Sequence, residues 1–232
     1  MGKRIISYFS KGEICLWGTS VFLTVAVFCI FDRSNVLSLI ASVIGVTSLI
    51  FCAKGNPIGQ LLMIVFSVLY GIISFSCSYY GEMITYLGMT APMALLALIF
   101  WLRNPYNGSK SEVKVARLKH KDIIFMSLFT VIVTVAFYFI LAFFNTANLI
   151  PSTVSVATSF VAVYLTFCRS PYYALAYASN DIVLIVLWVM ATVKDTSYIS
   201  VIVCFLMFLV NDLYGFYSWL KMEKRQNKKR EA

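Results

Sequence analysis

The chain has 232 residues, of which 60% are hydrophobic and 12% are charged. A soluble domain carries about 25% charged residues, so this composition excludes an ordinary soluble fold and indicates a membrane protein. The formal net charge is +9. The basic residues lie in short loops and tails rather than in a basic domain, which argues against a nucleic-acid-binding protein.

Eight apolar stretches follow one another along the chain, each long enough to cross a bilayer core of about 30 Å as a helix. The predicted spans are Ile14–Phe31, Val36–Ala53, Pro57–Cys77, Met83–Trp101, Ile123–Phe144, Ile150–Phe167, Tyr172–Val193 and Ile199–Leu220. Short polar connectors separate them. The sequence therefore predicts an all-α polytopic membrane protein with eight transmembrane helices.

The basic residues predict the orientation of these spans. An even number of spans places both termini on one side of the membrane. With cytoplasmic termini, every one of the 19 Lys and Arg residues except Arg33 and Lys194 lies in a cytoplasmic segment. Basic loops are retained in the cytoplasm, so both termini are predicted to be cytoplasmic. The basic runs at 110–121 and 221–230 follow from this topology and from attraction to lipid headgroups, with a cytoplasmic protein partner as the alternative.

Two parts of the chain resemble each other four helices apart. Residues 48–54 recur as 164–170, which pairs Cys52 with Cys168, and Phe100-Trp101-Leu102-Arg103 recurs as Ser218-Trp219-Leu220-Lys221. This pattern predicts two like-oriented three-helix bundles, with a linker helix between them and a binding site near the midplane. The predicted units are an extra helix in 1–35, a first bundle in 36–102, a basic loop and linker helix in 103–149, a second bundle in 150–220 and a basic tail in 221–232.

Each of the last two spans contains an Asn-Asp pair at a similar depth, namely Asn180-Asp181 and Asn211-Asp212. Ionisable residues inside the membrane are costly and usually functional. Adjacent residues diverge by about 100° around a helix, so only one member of each pair points squarely inward. No Lys or Arg lies in a span core, and the aspartates are therefore protonated, hydrogen-bonded or available to bind a cation. A cationic substrate is favoured, and a proton relay is the alternative.

Aromatic and amide side chains accompany these pairs and suit a flat heteroaromatic ring, which they hold by stacking and hydrogen bonding. For the asparagines the alternative is interhelical hydrogen bonding. The tryptophans near span ends, including Trp101 and Trp219, are interpreted as interfacial belt residues. The substrate-binding candidates are Asn180, Asn211, Tyr173, Tyr177, Trp188, Tyr214, Asp181, Asp212, Gln60, Tyr70, Tyr86 and Thr90.

Neither a cofactor nor an enzymatic activity is expected. The six cysteines are scattered and form no C-x-x-C pair, which argues against a disulfide framework and a zinc site. The single histidine, His120, has no plausible co-ligand. The sequence contains no nucleophile motif, P-loop or dinucleotide fingerprint.

At these positions the chain resembles the Pnu family of bacterial vitamin transporters, and in particular its nicotinamide riboside carriers. The matching segments are Cys52-Ala53-Lys54-Gly55, Val68-Leu69-Tyr70-Gly71, Tyr80-Gly81-Glu82-Met83 with Pro92-Met93, and Asn211-Asp212-Leu213-Tyr214-Gly215-Phe216-Tyr217-Ser218-Trp219. The resemblance implies a SWEET-like 3+1+3 arrangement behind the extra helix. It also implies uptake of nicotinamide riboside, a precursor of NAD, by facilitated diffusion across the bacterial inner membrane.

Two departures from the family pattern leave the substrate open. Ala176 and Ala94 stand where family members tend to have tryptophan and glutamine. Thiamine, riboflavin or a (deoxy)nucleoside are therefore alternative substrates. A proton-coupled symporter is the alternative mechanism, and a non-transporting membrane sensor or scaffold is the alternative class. The sequence also leaves open whether the chain forms a homo-oligomer.

Overall fold

A computed structural model describes residues 8–32, 35–76, 80–146, 148–193 and 196–231. Within these ranges eight helices are long and apolar enough to cross a membrane, which confirms the predicted all-α multi-pass fold. Arg33, Cys77 and Lys194 lie outside the described residues. The helices are α1 (Lys11–Phe31), α2 (Val36–Ala53), α3 (Pro57–Ser76), α4 (Tyr80–Arg103), α5 (His120–Phe143), α6 (Leu149–Phe167), α7 (Tyr172–Thr192) and α8 (Ile199–Glu231).

Two segments differ from the sequence prediction. The last helix, α8, continues to Glu231 instead of ending near Leu220, because its final turns consist of helix-favouring Lys, Glu, Arg and Gln without Gly or Pro. The loop after α4 forms an antiparallel hairpin of β1 (Pro105–Tyr106) and β2 (Ser109–Val113). Asn107 and Gly108 turn this hairpin with φ angles of 48° and 74°, the left-handed conformation that tight hairpin turns require.

Helices α2 to α4 and α6 to α8 form a closed ring of six. Around the ring, α2 packs on α3, α3 on α4, α4 on α6, α6 on α7, α7 on α8, and α8 on α2. The contact of α4 with α6 is thus matched by that of α8 with α2, which supports the predicted repeat of a first bundle (α2–α4) and a second bundle (α6–α8). Outside the ring, α5 packs along α6, and α1 packs against α2 and α8. The SWEET-like assignment stays a prediction.

The turns that follow α2 and α6 fix the register of this repeat. After α2, Gly55 has a φ of 66° and its N–H donates to the carbonyl of Cys52. After α6, Arg169 has a φ of 58° and its N–H donates to the carbonyl of Thr166. The structure therefore pairs Cys52 with Thr166, two positions from the predicted pairing with Cys168. The sequence prediction aligned Phe51-Cys52 with Phe167-Cys168. The two turns have the same backbone conformation, but the left-handed residue is Gly55 in one and Arg169 in the other.

A segment of the loop after the hairpin spans both of these turns at one end of the ring. The Val113 N–H donates to the carbonyl of Gly55, and the Ala116 N–H donates to the carbonyl of Arg169. Between them, the Val115 N–H donates to the side chain of Gln226 in α8. We call the end of the ring that carries these turns the basic end, and the other end the opposite end. The strap 113–116 thus covers the basic end and contacts both bundles.

Candidate functional site

The side chains of Asp181 in α7 and Asp212 in α8 meet inside the ring. They are 3% and 4% exposed and lie close enough to interact directly with each other. None of the ion pairs among the described residues involves either carboxyl. Two carboxylates so close together in a low-dielectric interior do not both ionise. The pair therefore holds at least one proton, and a cation beside it favours the singly ionised form.

Tyrosines from both bundles surround this carboxyl pair. Tyr177 of α7 lies within electrostatic range of both aspartates and hydrogen-bonds to Thr166. Tyr86 of α4, from the first bundle, lies within electrostatic range of Asp181. The pair thus faces the interface between the bundles, where a ring-bearing cation would meet a negative charge and aromatic faces together.

An aromatic cluster centred on Tyr70 lies between the carboxyl pair and the opposite end. The ring centroid of Tyr70 is 4.5 Å from that of Tyr86, 6.0 Å from that of Phe205 and 6.5 Å from that of Trp188. Phe66 stacks on Tyr70 at 5.6 Å. These rings come from α3, α4, α7 and α8, so the cluster is built by both bundles and offers several π faces to a flat ligand.

A cavity enters the ring from the opposite end and ends on this cluster. Its volume is about 130 Å³, below the roughly 300 Å³ at which small-molecule pockets begin. A nucleoside therefore reaches the carboxyl pair only when the two bundles separate. The lining residues are Asp32, Asn35, Ser38, Ala41, Ser42, Phe66, Tyr70, Ile73, Trp188, Tyr198, Val201, Cys204 and Phe205.

Two tryptophans close the basic end with equivalent hydrogen bonds across the bundles. Trp219 Nε1 donates to the carbonyl of Cys52 at 2.8 Å, and Trp101 Nε1 donates to the carbonyl of Thr166 at 3.0 Å. Both side chains are 0% exposed, and their ring centroids are 5.4 Å apart. Their interpretation as interfacial belt residues is wrong, because the longer α8 and the strap 113–116 bury positions that the sequence places at span ends.

Three further candidates lie around the site rather than at the carboxyl pair. Tyr173 belongs to the tryptophan layer, with its ring centroid 4.9 Å from that of Trp219. Gln60 Nε2 donates to Cys52 Sγ at 3.4 Å. Thr90 lies in a π-helical turn of α4, Tyr86–Thr90, and its hydroxyl donates to the carbonyl of Thr85 at 3.3 Å.

Asn180 faces α6 instead of the carboxyl pair. Its Oδ1 accepts hydrogen bonds from Thr158 at 2.8 Å, Ser159 at 3.0 Å and Ser155 at 3.4 Å. All three hydroxyls belong to the neighbouring helix of the same bundle. This geometry matches the interhelical alternative, because a buried amide takes the nearest hydroxyl partners, and substrate contact by Asn180 stays a prediction.

Asn211 and Tyr214 face the extra helix α1. Asn211 Nδ2 donates to Ser20 Oγ at 2.9 Å, and the Tyr214 hydroxyl donates to Glu13 Oε1 at 2.8 Å. These contacts favour a role in packing against α1, and substrate contact by the two residues stays a prediction. Because α8 turns Asn211 and Tyr214 towards α1, it is Asp212 that faces the ring interior.

Sequence reasoning missed several residues of the site. Phe66, Phe205 and Cys204 line the cavity but are indistinguishable in sequence from ordinary apolar core positions. Glu82 is 4% exposed within α4, although the predicted span begins one residue later. The signal that would have found it is the single acidic residue between the third and fourth apolar runs.

The fold matches a solved structure described as the vitamin B3 transporter PnuC. The match has a TM-score of 0.82 and covers 94% of this chain and 94% of that chain, at 24% sequence identity. At this identity the likeness establishes the fold.

Two relatives share sequence along most of the chain. The nicotinamide riboside transporter PnuC of Neisseria mucosa is 25% identical over 206 residues, which are 87% of this chain and 78% of that protein. The protein of the same name from Haemophilus influenzae is 23% identical over 192 residues, 82% of each chain. The sequence profile of a family described as nicotinamide mononucleotide transporters matches residues 35–221. Because that match covers most of the chain, the protein belongs to this family of membrane transporters, which are not enzymes.

Proposed function

We propose that the protein carries nicotinamide riboside across the bacterial inner membrane. The observation that carries this proposal is the buried contact of Asp181 with Asp212, which have no basic partner among the described residues and where a bound cation favours one negative charge. The pyridinium ring of nicotinamide riboside is flat and carries one positive charge. It complements both this charge and the faces of Tyr86 and Tyr177. The names of the two relatives support the same substrate.

Transport proceeds by facilitated diffusion with alternating access. The basic end is closed by the Trp101 and Trp219 hydrogen bonds, while the cavity at the opposite end stops at Tyr70. The ring has two interfaces between its bundles, α4 with α6 and α8 with α2. Rocking of one bundle against the other opens these interfaces at one end while it closes them at the other.

The basic end faces the cytoplasm in this proposal, with both termini on the same side. Lys54, Arg103 and Arg169 lie at this end, as does the extension of α8 past Leu220. Retention of basic loops in the cytoplasm supports this orientation. The cavity then opens to the outside, from which the nutrient arrives.

One departure from the family pattern leaves the carboxyl pair unaffected. Ala176 lines a groove together with Thr130 of α5 and Thr158 of α6, so its side chain points away from the ring interior. Ala94 is buried within the first bundle. The geometry therefore gives the Ala176 substitution no route to alter the pyridinium site.

Counterflow in proteoliposomes tests the proposal. Labelled nicotinamide riboside is expected to exchange against unlabelled substrate without any proton gradient. Neutral dihydronicotinamide riboside, of nearly the same shape, is expected to compete more weakly because it lacks the cationic charge. Acceleration by an imposed pH gradient would contradict facilitated diffusion, and binding without exchange would identify a sensor instead.

A further inference from the structure

A second buried carboxyl, Glu82, lies between the carboxyl pair and the opposite end. Its side chain is 4% exposed, and its Oε2 has no hydrogen-bond partner among the described residues. No described Lys or Arg forms an ion pair with it. A buried acceptor without a partner is costly, so its retention at this position requires a compensating role.

Glu82 stands directly behind the aromatic cluster. Tyr86 follows it by four residues on α4 and therefore shares its helical face. Glu82 is within electrostatic range of both Tyr86 and Tyr70, whose rings are only 4.5 Å apart. The π-helical turn Tyr86–Thr90 begins at this point, and such turns occur frequently at functional sites.

These residues connect the cavity with the carboxyl pair. Tyr70 forms part of the cavity lining, which among the described residues includes Asp32 but no Lys or Arg, and Tyr86 and Glu82 lie beyond it. Tyr86 is within electrostatic range of Glu82 and also of Asp181. A cation that enters from the opposite end therefore meets the Tyr70 face before it reaches the Asp181–Asp212 pair.

We infer that Glu82, Tyr70 and Tyr86 form an outer subsite that holds a flat monovalent organic cation before it passes to the carboxyl pair. The inference rests on the proposed function, because it takes a pyridinium nucleoside as the substrate. Glu82 supplies the countercharge and the two tyrosines supply ring faces. Its role is to stabilise the entering cation after it leaves the cavity, at a buried position between Tyr70 and the carboxyl pair.

The test compares Glu82→Gln with the wild type in proteoliposomes, using labelled nicotinamide riboside and neutral dihydronicotinamide riboside. The variant keeps the shape of the side chain and removes its charge. We expect the KM for nicotinamide riboside to rise about tenfold, equivalent to about 1.4 kcal/mol. The KM for the neutral compound should change less than twofold. As a matched control, Glu112→Gln, in the hairpin at the basic end, should leave both values unchanged.

Equal shifts for the two compounds, or no shift for either, would overturn the subsite. If Glu82→Gln does not accumulate as folded protein, Tyr70→Leu and Tyr70→Phe decide the question: only the leucine variant should lose the preference for the cation, and a loss in both or in neither would reject the inference. Failure of the proposed function is a different result, since the wild type would then show no counterflow of nicotinamide riboside.

Discussion

Replacement of Trp219 by phenylalanine should loosen the basic end, because it removes a hydrogen bond between the bundles and shrinks a fully buried ring. The indole N–H donates to the carbonyl of Cys52 at 2.8 Å, and this carbonyl also accepts the N–H of Gly55 at 2.8 Å. Phenylalanine therefore removes one buried hydrogen bond but leaves no orphaned carbonyl. The lost bond costs about 1 kcal/mol, and the space left by the smaller ring adds to this cost. Because the bond joins the two bundles, its loss alone raises the population open at the basic end about fivefold.

Cys52 itself reports this opening, because its side chain is 3% exposed and adjoins the bond. In a variant whose other cysteines are replaced by serine, a membrane-impermeant maleimide applied to the basic end should label Cys52 about fivefold faster after Trp219→Phe. Trp17→Phe is the matched control, since Trp17 Nε1 donates to Thr47 at 3.1 Å outside the ring. Unchanged labelling, or equal acceleration in both variants, would refute the assignment of Trp219 to a closure between bundles.

Three further results are expected. Asp181→Asn and Asp212→Asn should each retain cation binding, because one carboxylate remains. In the double variant, the preference for nicotinamide riboside over its neutral dihydro form should fall more than tenfold. The same loss of preference in either single variant would contradict a proton shared by the pair. Asn211→Leu should leave the substrate KM unchanged and lower stability by about 0.6 kcal/mol in thermal unfolding; a raised KM would return Asn211 to the site. Arg169→Gly should raise the thermal midpoint, because it relieves about 1 kcal/mol of left-handed strain at a φ of 58° and removes a guanidinium whose pKa burial lowers; a lowered midpoint would contradict this.

Sequence alone predicted the parts of the fold that depend on runs of apolar residues. Seven of the eight helices end within a few residues of their predicted bounds, and α8 is the exception. The two aspartates were expected at one depth, and the structure brings them into contact. Both results follow from local rules, namely the length needed to cross a bilayer and the rise per residue of a helix.

The direction of side chains depended on partners that sequence spacing does not reveal. Asn211 faces α1 because Ser20 supplies a hydroxyl there, and Asn180 faces α6 because Thr158 and Ser159 do. In lipid, a polar side chain turns to the nearest helix that offers a partner. The choice between Asn and Asp in each pair was therefore set by tertiary contacts.

The buried layer at the basic end escaped prediction for a related reason. Trp101 and Trp219 stand at the ends of apolar runs, where tryptophan usually marks the membrane interface. Their burial requires the strap 113–116 and its contact with Gln226. The strap is too short to stand out as an apolar run, and α8 continues in mostly polar residues, so the sequence indicated only a basic loop and tail.

The register of the two bundles shows that they differ in chemistry at the depth of the carboxyl pair. Pairing of Gly55 with Arg169 places Ser67 opposite Asp181, and pairing of Trp101 with Trp219 places Ala94 opposite Asp212. The first half of the carrier thus has neutral counterparts of both aspartates. The carboxyl pair thus belongs to the second bundle alone, whereas the buried carboxyl of the first bundle, Glu82, lies nearer the opposite end. In the proposed transport cycle a cation therefore passes from a carboxyl of one bundle to the carboxyls of the other.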